Sequence, residues 1–192
     1  MKSVRVLAVL MAAAIPCAAS AAELSHDYVE AGVSRLTEDV PSVFGGDRKF
    51  DGMYLRGSAA FGDSGLYGFG AYRQGETDGA AAFNRSNAQL GVGYAYRVAP
   101  RVELLGEGSW LRSDYEGFGD DTWRASVGAR AAFGERVEGW AKAHYTDQGY
   151  DSTRYSGELG ALVKIDERWG VTGAVELGDR EDTYTVGIRA SF

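Results

Sequence analysis

The sequence predicts an all-β protein, an antiparallel up-and-down transmembrane β-barrel of ten strands (eight as the alternative count) closed by the C-terminal strand. Three observations predict it. Segments along the chain alternate apolar and polar residues with period two. The connections between them alternate short and long. Aromatic residues gather at both ends of the apolar face, where amphipathic rings meet a membrane–water boundary. Composition agrees: 27 of 192 residues are Gly and only 3 are Pro. That is roughly twice the usual glycine share of about 7%, with too little proline for a disordered or collagen-like tract.

Residues 1–22 read as a secretory signal peptide. Lys2 and Arg5 supply the positive start, 6–15 is an unbroken apolar run, and Ala19-Ser20-Ala21 is a small-x-small cleavage signal. Pro16 before Cys17 fits a lipobox badly. The remaining 23–192 is then one barrel domain without cysteine, which excludes a disulfide scaffold and a cysteine metal site. Its charge becomes −9, the whole-chain −7 less the positive charges of Lys2 and Arg5. Such acidity excludes nucleic acid as a partner, because nothing offsets phosphate repulsion.

The alternating segments are 28–36, 50–61, 66–74, 86–97, 101–111, 122–133, 137–146, 155–165, 170–178 and 183–192. Each has about 9 to 12 residues, enough for a tilted strand to cross a bilayer. The last is the clearest: Tyr184, Val186, Ile188, Ala190 and Phe192 share one face, with Thr183, Thr185, Gly187, Arg189 and Ser191 on the other. The connections 62–65, 98–100, 134–136 and 166–169 are short. Four of the intervening ones (37–49, 75–85, 112–121 and 147–154) are long, and 179–182 is again short. Short turns belong at the periplasmic end of such a barrel and long loops outside. Trp110, Trp123, Tyr145 and Tyr184 then form a girdle at the loop end, and Phe61, Tyr67, Tyr96, Phe133 and Phe192 one at the turn end.

Parity sends Glu30, Glu103, Glu107, Glu138, Glu158 and Glu176 inward, against Arg56, Arg97, Arg124, Arg130, Lys142, Lys164 and Arg189, with His144 beside them. A barrel this narrow is nearly filled by its side chains. The balance therefore reads as a salt-bridged plug, with a narrow channel lined by charge as the alternative. Gly68, Gly70, Gly91, Gly93, Gly128, Gly160 and Gly187 are expected to face inward and leave room for the long charged side chains.

The five outer loops hold fourteen acids against six bases, so −8 of the −9 lies on one rim. Clustered carboxylates suit hard divalent cations bridging to the phosphates of outer-membrane lipid and lipopolysaccharide. The densest set, Asp114, Glu116, Asp120 and Asp121, does not follow an EF-hand pattern, so no metal ligands or cofactor are assigned. Tyr115, Phe118 and Tyr150 at the tips suit contact with an extracellular partner that the sequence does not name.

No enzyme is expected. His26 lies at the periplasmic end, and His144-Tyr145-Thr146 resembles the His-x-Ser of lipid A deacylases but has Thr for Ser and faces inward. The omptin proteases share the ten-strand count, but their long protruding strands are missing. Pairs such as Gly91-Val92-Gly93 lie inside strands without a following helix and bind no nucleotide.

Tyr28-Val29-Glu30-Ala31-Gly32, Glu138-Gly139-Trp140-Ala141-Lys142-Ala143, Gly157-Glu158-Leu159-Gly160-Ala161 and the closing Gly187-Ile188-Arg189-Ala190-Ser191-Phe192 carry a resemblance. Across 23–192 the chain resembles small Gram-negative outer-membrane barrels, most of all the diffusible-signal-factor-regulated outer-membrane proteins of xanthomonad-type bacteria. That resemblance implies a barrel in the cell outer membrane with a structural or surface-interaction role of the adhesion, virulence or biofilm type. Tyr184 and the terminal Phe192 also resemble the signal read by the barrel-assembly machinery. Phe192→Asp should therefore lower outer-membrane insertion, read as loss of the heat-modifiable folded band in outer-membrane fractions.

Overall fold

Period-two alternation becomes a single closed sheet. The computed structural model describes residues 24–39, 46, 48–77, 84–115, 118–147 and 153–192; the signal segment expected at 1–22 lies outside them, as do Glu116 and Tyr150. The strands are β1 (Tyr28–Glu38), β2 (Arg48–Ala60), β3 (Leu66–Thr77), β4 (Asn84–Ala99) and β5 (Val102–Tyr115). They continue with β6 (Phe118–Ala132), β7 (Val137–Asp147), β8 (Thr153–Lys164), β9 (Trp169–Gly178) and β10 (Glu181–Ser191). Each pairs antiparallel with its neighbour in sequence, and β10 closes onto β1 from Tyr28↔Ser191 to Glu38↔Glu181. Following the registers once around the ring returns to β1 displaced by about twelve residues, a stagger that goes with a strand tilt of about 40°.

The faces are inverted relative to a water-soluble protein. Val33, Leu90, Val92, Val127, Val186 and Ile188 are exposed on the outside, while Glu30, Glu103, Glu138, Arg130 and Arg189 are buried inside. A continuous apolar outer belt of this extent is a lipid-facing surface. Trp123, Tyr145, Tyr155 and Tyr184 are exposed toward the loop end, and Phe61, Tyr96, Phe133, Trp169 and Phe192 toward the turn end. Trp110 is half-buried beside its cross-strand partner Trp123.

Tyr67 departs from the expected girdle. Only 4% of it is exposed, and its hydroxyl donates to Glu107 in the lumen at 2.7 Å. The parity of β3 is thus the reverse of the reading above: Tyr67, Phe69, Ala71 and Arg73 line the interior, while Gly68 and Gly70 lie beside outward-facing Phe61 and Leu90. The reason is Arg73, which shares Tyr67's parity. Placing Tyr67 in lipid would place a guanidinium there too, at a cost of several kcal/mol. The inward glycines also serve another purpose than the one expected. Tyr67 covers Gly93, Phe69 covers Gly91, Trp140 covers Gly160 and Tyr54 covers Gly187, each ring occupying the space a Cβ would need. Only at Gly128, against Lys142, does a charged side chain use the room.

The turns at one end are tight. A 3-10 turn at Gly62–Ser64 ends at Gly65 with φ 78°, and Gly134 has φ 89°, both in the left-handed region where glycine carries no Cβ penalty. In the β8–β9 turn the backbone N–H groups of Trp169 and Arg168 donate to Asp166 and hold its carboxyl below the usual range.

At the other end the strands run longer than expected. The connection expected to loop over 112–121 is instead a hairpin paired through Asp114↔Gly119 and Tyr115↔Phe118. Arg112 faces Asp121 across it at 3.7 Å, so cross-strand charge pairing extends the ladder beyond the bilayer. Because Gly93 has no space for a side chain beneath the Tyr67 ring, Gly93→Val should destabilise the barrel by about 1–3 kcal/mol. Gly106→Ala, with nothing within 4 Å, should leave it unchanged; urea titration followed by gel mobility compares the two.

Candidate functional site

The inward faces of ten strands converge on one charged interior, and its contacts stack in levels along the barrel axis. At the periplasmic mouth the segment 24–27 folds across the opening. Leu24 is buried, Arg130 donates to the Ser25 carbonyl at 2.9 Å, and Phe192 N–H donates to the Asp27 carbonyl. His26 stacks on Tyr67 at 4.3 Å and meets Glu103 at 3.0 Å. Arg97, at the rim, reaches the same carboxylate at 3.4 Å.

Above it, Glu138 accepts from Arg130 with one oxygen and from Lys164 at 2.7 Å with the other. Glu30 is held by Arg189 at 2.6 Å and by the Tyr54 hydroxyl at 2.8 Å. These pairs join neighbouring strands. Others do not: Glu107 on β5 accepts from Tyr67 on β3 and from Lys142 on β7, both at 2.7 Å. Arg189 on β10 reaches across to the Trp140 ring on β7, 5.5 Å away, as well as covering Tyr28 at 3.9 Å. The Trp140 indole N–H donates to Glu158, and Arg56 lies against Tyr54 at 5.8 Å.

Toward the loop end, Arg124 on β6 bridges to Glu176 on β9 at 3.2 Å, and Ser156 donates to that carboxylate at 2.7 Å. Highest of all, Arg85 on β4 and Arg154 on β8 share one oxygen of Glu181 on β10, at 2.9 and 3.2 Å. In a low-dielectric interior such charge-assisted bonds are strong. An unpaired member of the set would be costly.

The inward charges expected from parity make their contacts on the lumen side, with Arg97 exposed at its rim. Arg73, Arg85, Arg154 and Glu181 join them unforeseen, as do the aromatics Tyr28, Tyr54, Tyr67 and Trp140. The available signal for Arg73, Arg85 and Arg154 was their charge. Arg85 and Arg154 sit at the ends of the connections 75–85 and 147–154, where alternation alone does not show that the strands continue. Between the levels remains a cavity of ≈ 210 Å³, lined from His26 near the periplasmic mouth to Glu181 near the outer one.

His144 is buried and shares a 2.7 Å hydrogen bond between its Nδ1 and the Ser126 hydroxyl, while its Nε2 lies 3.9 Å from Glu158 and has no hydrogen-bond partner among the described residues. Serine, histidine and glutamate therefore stand in one row, but the second link is too long for a hydrogen bond, and Ser126 is buried too. His144, Glu158 and Glu176 also offer ligand atoms within 4.8 Å of one another. Their carboxylates are engaged by Trp140, Arg124 and Ser156, so a metal ion would have to displace contacts the fold already makes. In the acidic outer set, Asp121 is paired with Arg112.

No protein-family model matches the chain, and no curated protein matches it. Among solved structures, it is similar to the translocator domain of the autotransporter NalP from Neisseria meningitidis, at 14% identity and TM-score 0.52, covering 90% of this chain and 91% of that one. The β domain of the Bordetella autotransporter BrkA is similar at 12% identity and TM-score 0.53, covering 86% and 99%. A KdgM porin aligns at 12% identity and TM-score 0.48, covering 86% and 99%. At such identities the likeness is one of fold, that of the outer-membrane β-barrels.

Removing Glu138 leaves Arg130 and Lys164 unpaired at the periplasmic level. Glu138→Ala should therefore cost about 3–5 kcal/mol of stability, read as a lowered urea midpoint of the detergent-solubilised barrel.

Proposed function

We propose that this chain is a barrel of the cell outer membrane, exported with loss of 1–22, that works through its outer surface with its lumen as a plug. The observation that carries the reading is bridging between strands that are not neighbours: β6 to β9 through Arg124–Glu176, and β4 to β10 through Arg85–Glu181. With segment 24–27 across the periplasmic mouth, these bridges leave no wide aqueous path. The β5–β6 hairpin reaches beyond the bilayer, since its strands of 14 and 15 residues exceed the roughly 9–11 needed to span, and the connections at that end carry most of the acidic excess in sequence. The resemblance to diffusible-signal-factor-regulated proteins supports a surface-interaction role of the adhesion or biofilm type. Lipopolysaccharide beside the belt and the assembly machinery during insertion are the partners this reading entails.

A second reading, a narrow channel for small solutes, is favoured by the cavity running from His26 to Glu181. Planar-bilayer recording of the purified barrel separates the two: the plug gives a silent membrane, and steady unitary steps would establish the channel instead. Replacing 113–120 by a two-residue turn should then lower biofilm retention of expressing cells at least twofold with barrel levels unchanged. Undiminished retention would remove the hairpin from the reading.

A further inference from the structure

The outer half of the lumen carries more positive charge than it neutralises. Arg73, Arg85, Arg124, Arg154 and Arg180 line it there against three carboxylates, Glu176, Asp179 and Glu181. Glu176 is taken by Arg124, and Glu181 is shared by Arg85 and Arg154 through a single oxygen. Arg73 is left over. Among the described residues it makes no ion pair, and its Nε is buried without an acceptor; the Nε of Arg154 is in the same position. Of the charges that act most strongly on Arg73, three are arginines, Arg56, Arg124 and Arg85, and one is a carboxylate, Glu176.

A half-buried guanidinium whose Nε is buried without an acceptor, set among like charges, is destabilising unless something compensates it. A neutral polar residue at this position would hold β3 in the same parity without the cost of an uncompensated charge. The presence of Arg73 beside the ≈ 210 Å³ cavity has a simple electrostatic complement, an anion. Guanidinium groups present a planar fork that matches carboxylate and phosphate oxygens bidentately. The surrounding low dielectric strengthens each such contact.

We propose that the outer half of the lumen binds a small doubly charged oxyanion, a phosphate or a dicarboxylate, held by Arg73 together with Arg85 and Arg154. Entry is from the loop side, since segment 24–27 covers the other mouth; in this respect the site rests on the plugged-lumen reading. The acidic rim repels loosely held anions, but that field decays over about 8 Å at physiological salt. Within the lumen the arginines dominate. The site would select ligands able to engage more than one guanidinium over singly charged ions such as chloride.

Isothermal titration of the barrel purified from outer membranes, at constant ionic strength with inorganic phosphate in one arm and succinate in the other, tests the site. Saturable one-to-one heat with either anion is expected, and the responding arm assigns a tetrahedral or a planar ligand. Arg73→Gln should weaken binding at least tenfold, while Arg97→Gln at the opposite mouth leaves it unchanged. Without anion, Arg73→Gln should raise the urea midpoint, because it removes an uncompensated charge. No heat from either anion would overturn the proposal, as would an unchanged affinity in Arg73→Gln or a lowered midpoint marking Arg73 as structural. Conductance steps would refute the plug while leaving the titration and its Arg73 dependence to be judged on their own.

Discussion

The β1–β10 seam is the interaction on which everything else depends. In hydrocarbon no water is present to satisfy a backbone N–H or C=O, so a spanning sheet must have no edge. Pairing from Tyr28↔Ser191 to Glu38↔Glu181 provides that closure. Once the sheet is closed and its outside faces lipid, side-chain alternation allows one arrangement only: Val, Leu and Ile outward, and charge inward. Segment 24–27 and the C-terminal Phe192 meet at this seam, where Phe192 N–H donates to the Asp27 carbonyl and the Ser25 hydroxyl to the Phe192 carbonyl. The segment that completes the seam is therefore also the one that crosses the periplasmic mouth.

Closure at ten strands sets the width, and the width determines the character of the lumen. The interior is too wide for neighbouring-strand pairs alone to fill and narrow enough for Arg and Glu to reach across it. Arg124–Glu176 and Arg85–Glu181 are such crossings. Aromatic rings laid over glycines on the facing wall complete the packing, as Trp140 over Gly160 and Tyr67 over Gly93 show. Tyr67 and Trp140 then turn their polar atoms to Glu107 and Glu158, so the same side chains supply bulk and hydrogen bonds.

Charge is divided between two compartments. The loop rim is acidic, and the outer half of the lumen is cationic around Arg73. Nearer the periplasm the cations reach carboxylates, Arg130 and Lys164 at Glu138 and Arg189 at Glu30. The cation without a partner among the described residues, Arg73, lies in the half toward the loop end.

Strand number, antiparallel order, closure and the inward direction of charges such as Glu30, Glu138, Arg124 and Arg189 were legible in the sequence, because period-two alternation is a local property with a fixed geometric meaning. β3 shows where that legibility ends. Its Tyr67, Phe69 and Tyr72 put apolar rings on both faces, and only Arg73 reveals which face is wet. The length of the β5–β6 hairpin was likewise hidden, since its charged residues look like loop until Arg112 and Asp121 are seen opposite each other. Local pattern by itself thus determined which face of most strands meets lipid. Only the tertiary structure decided which charges become partners, and that Arg73 has none among the described residues, because pairing across a lumen depends on strand stagger and barrel width, which no stretch of neighbouring residues encodes.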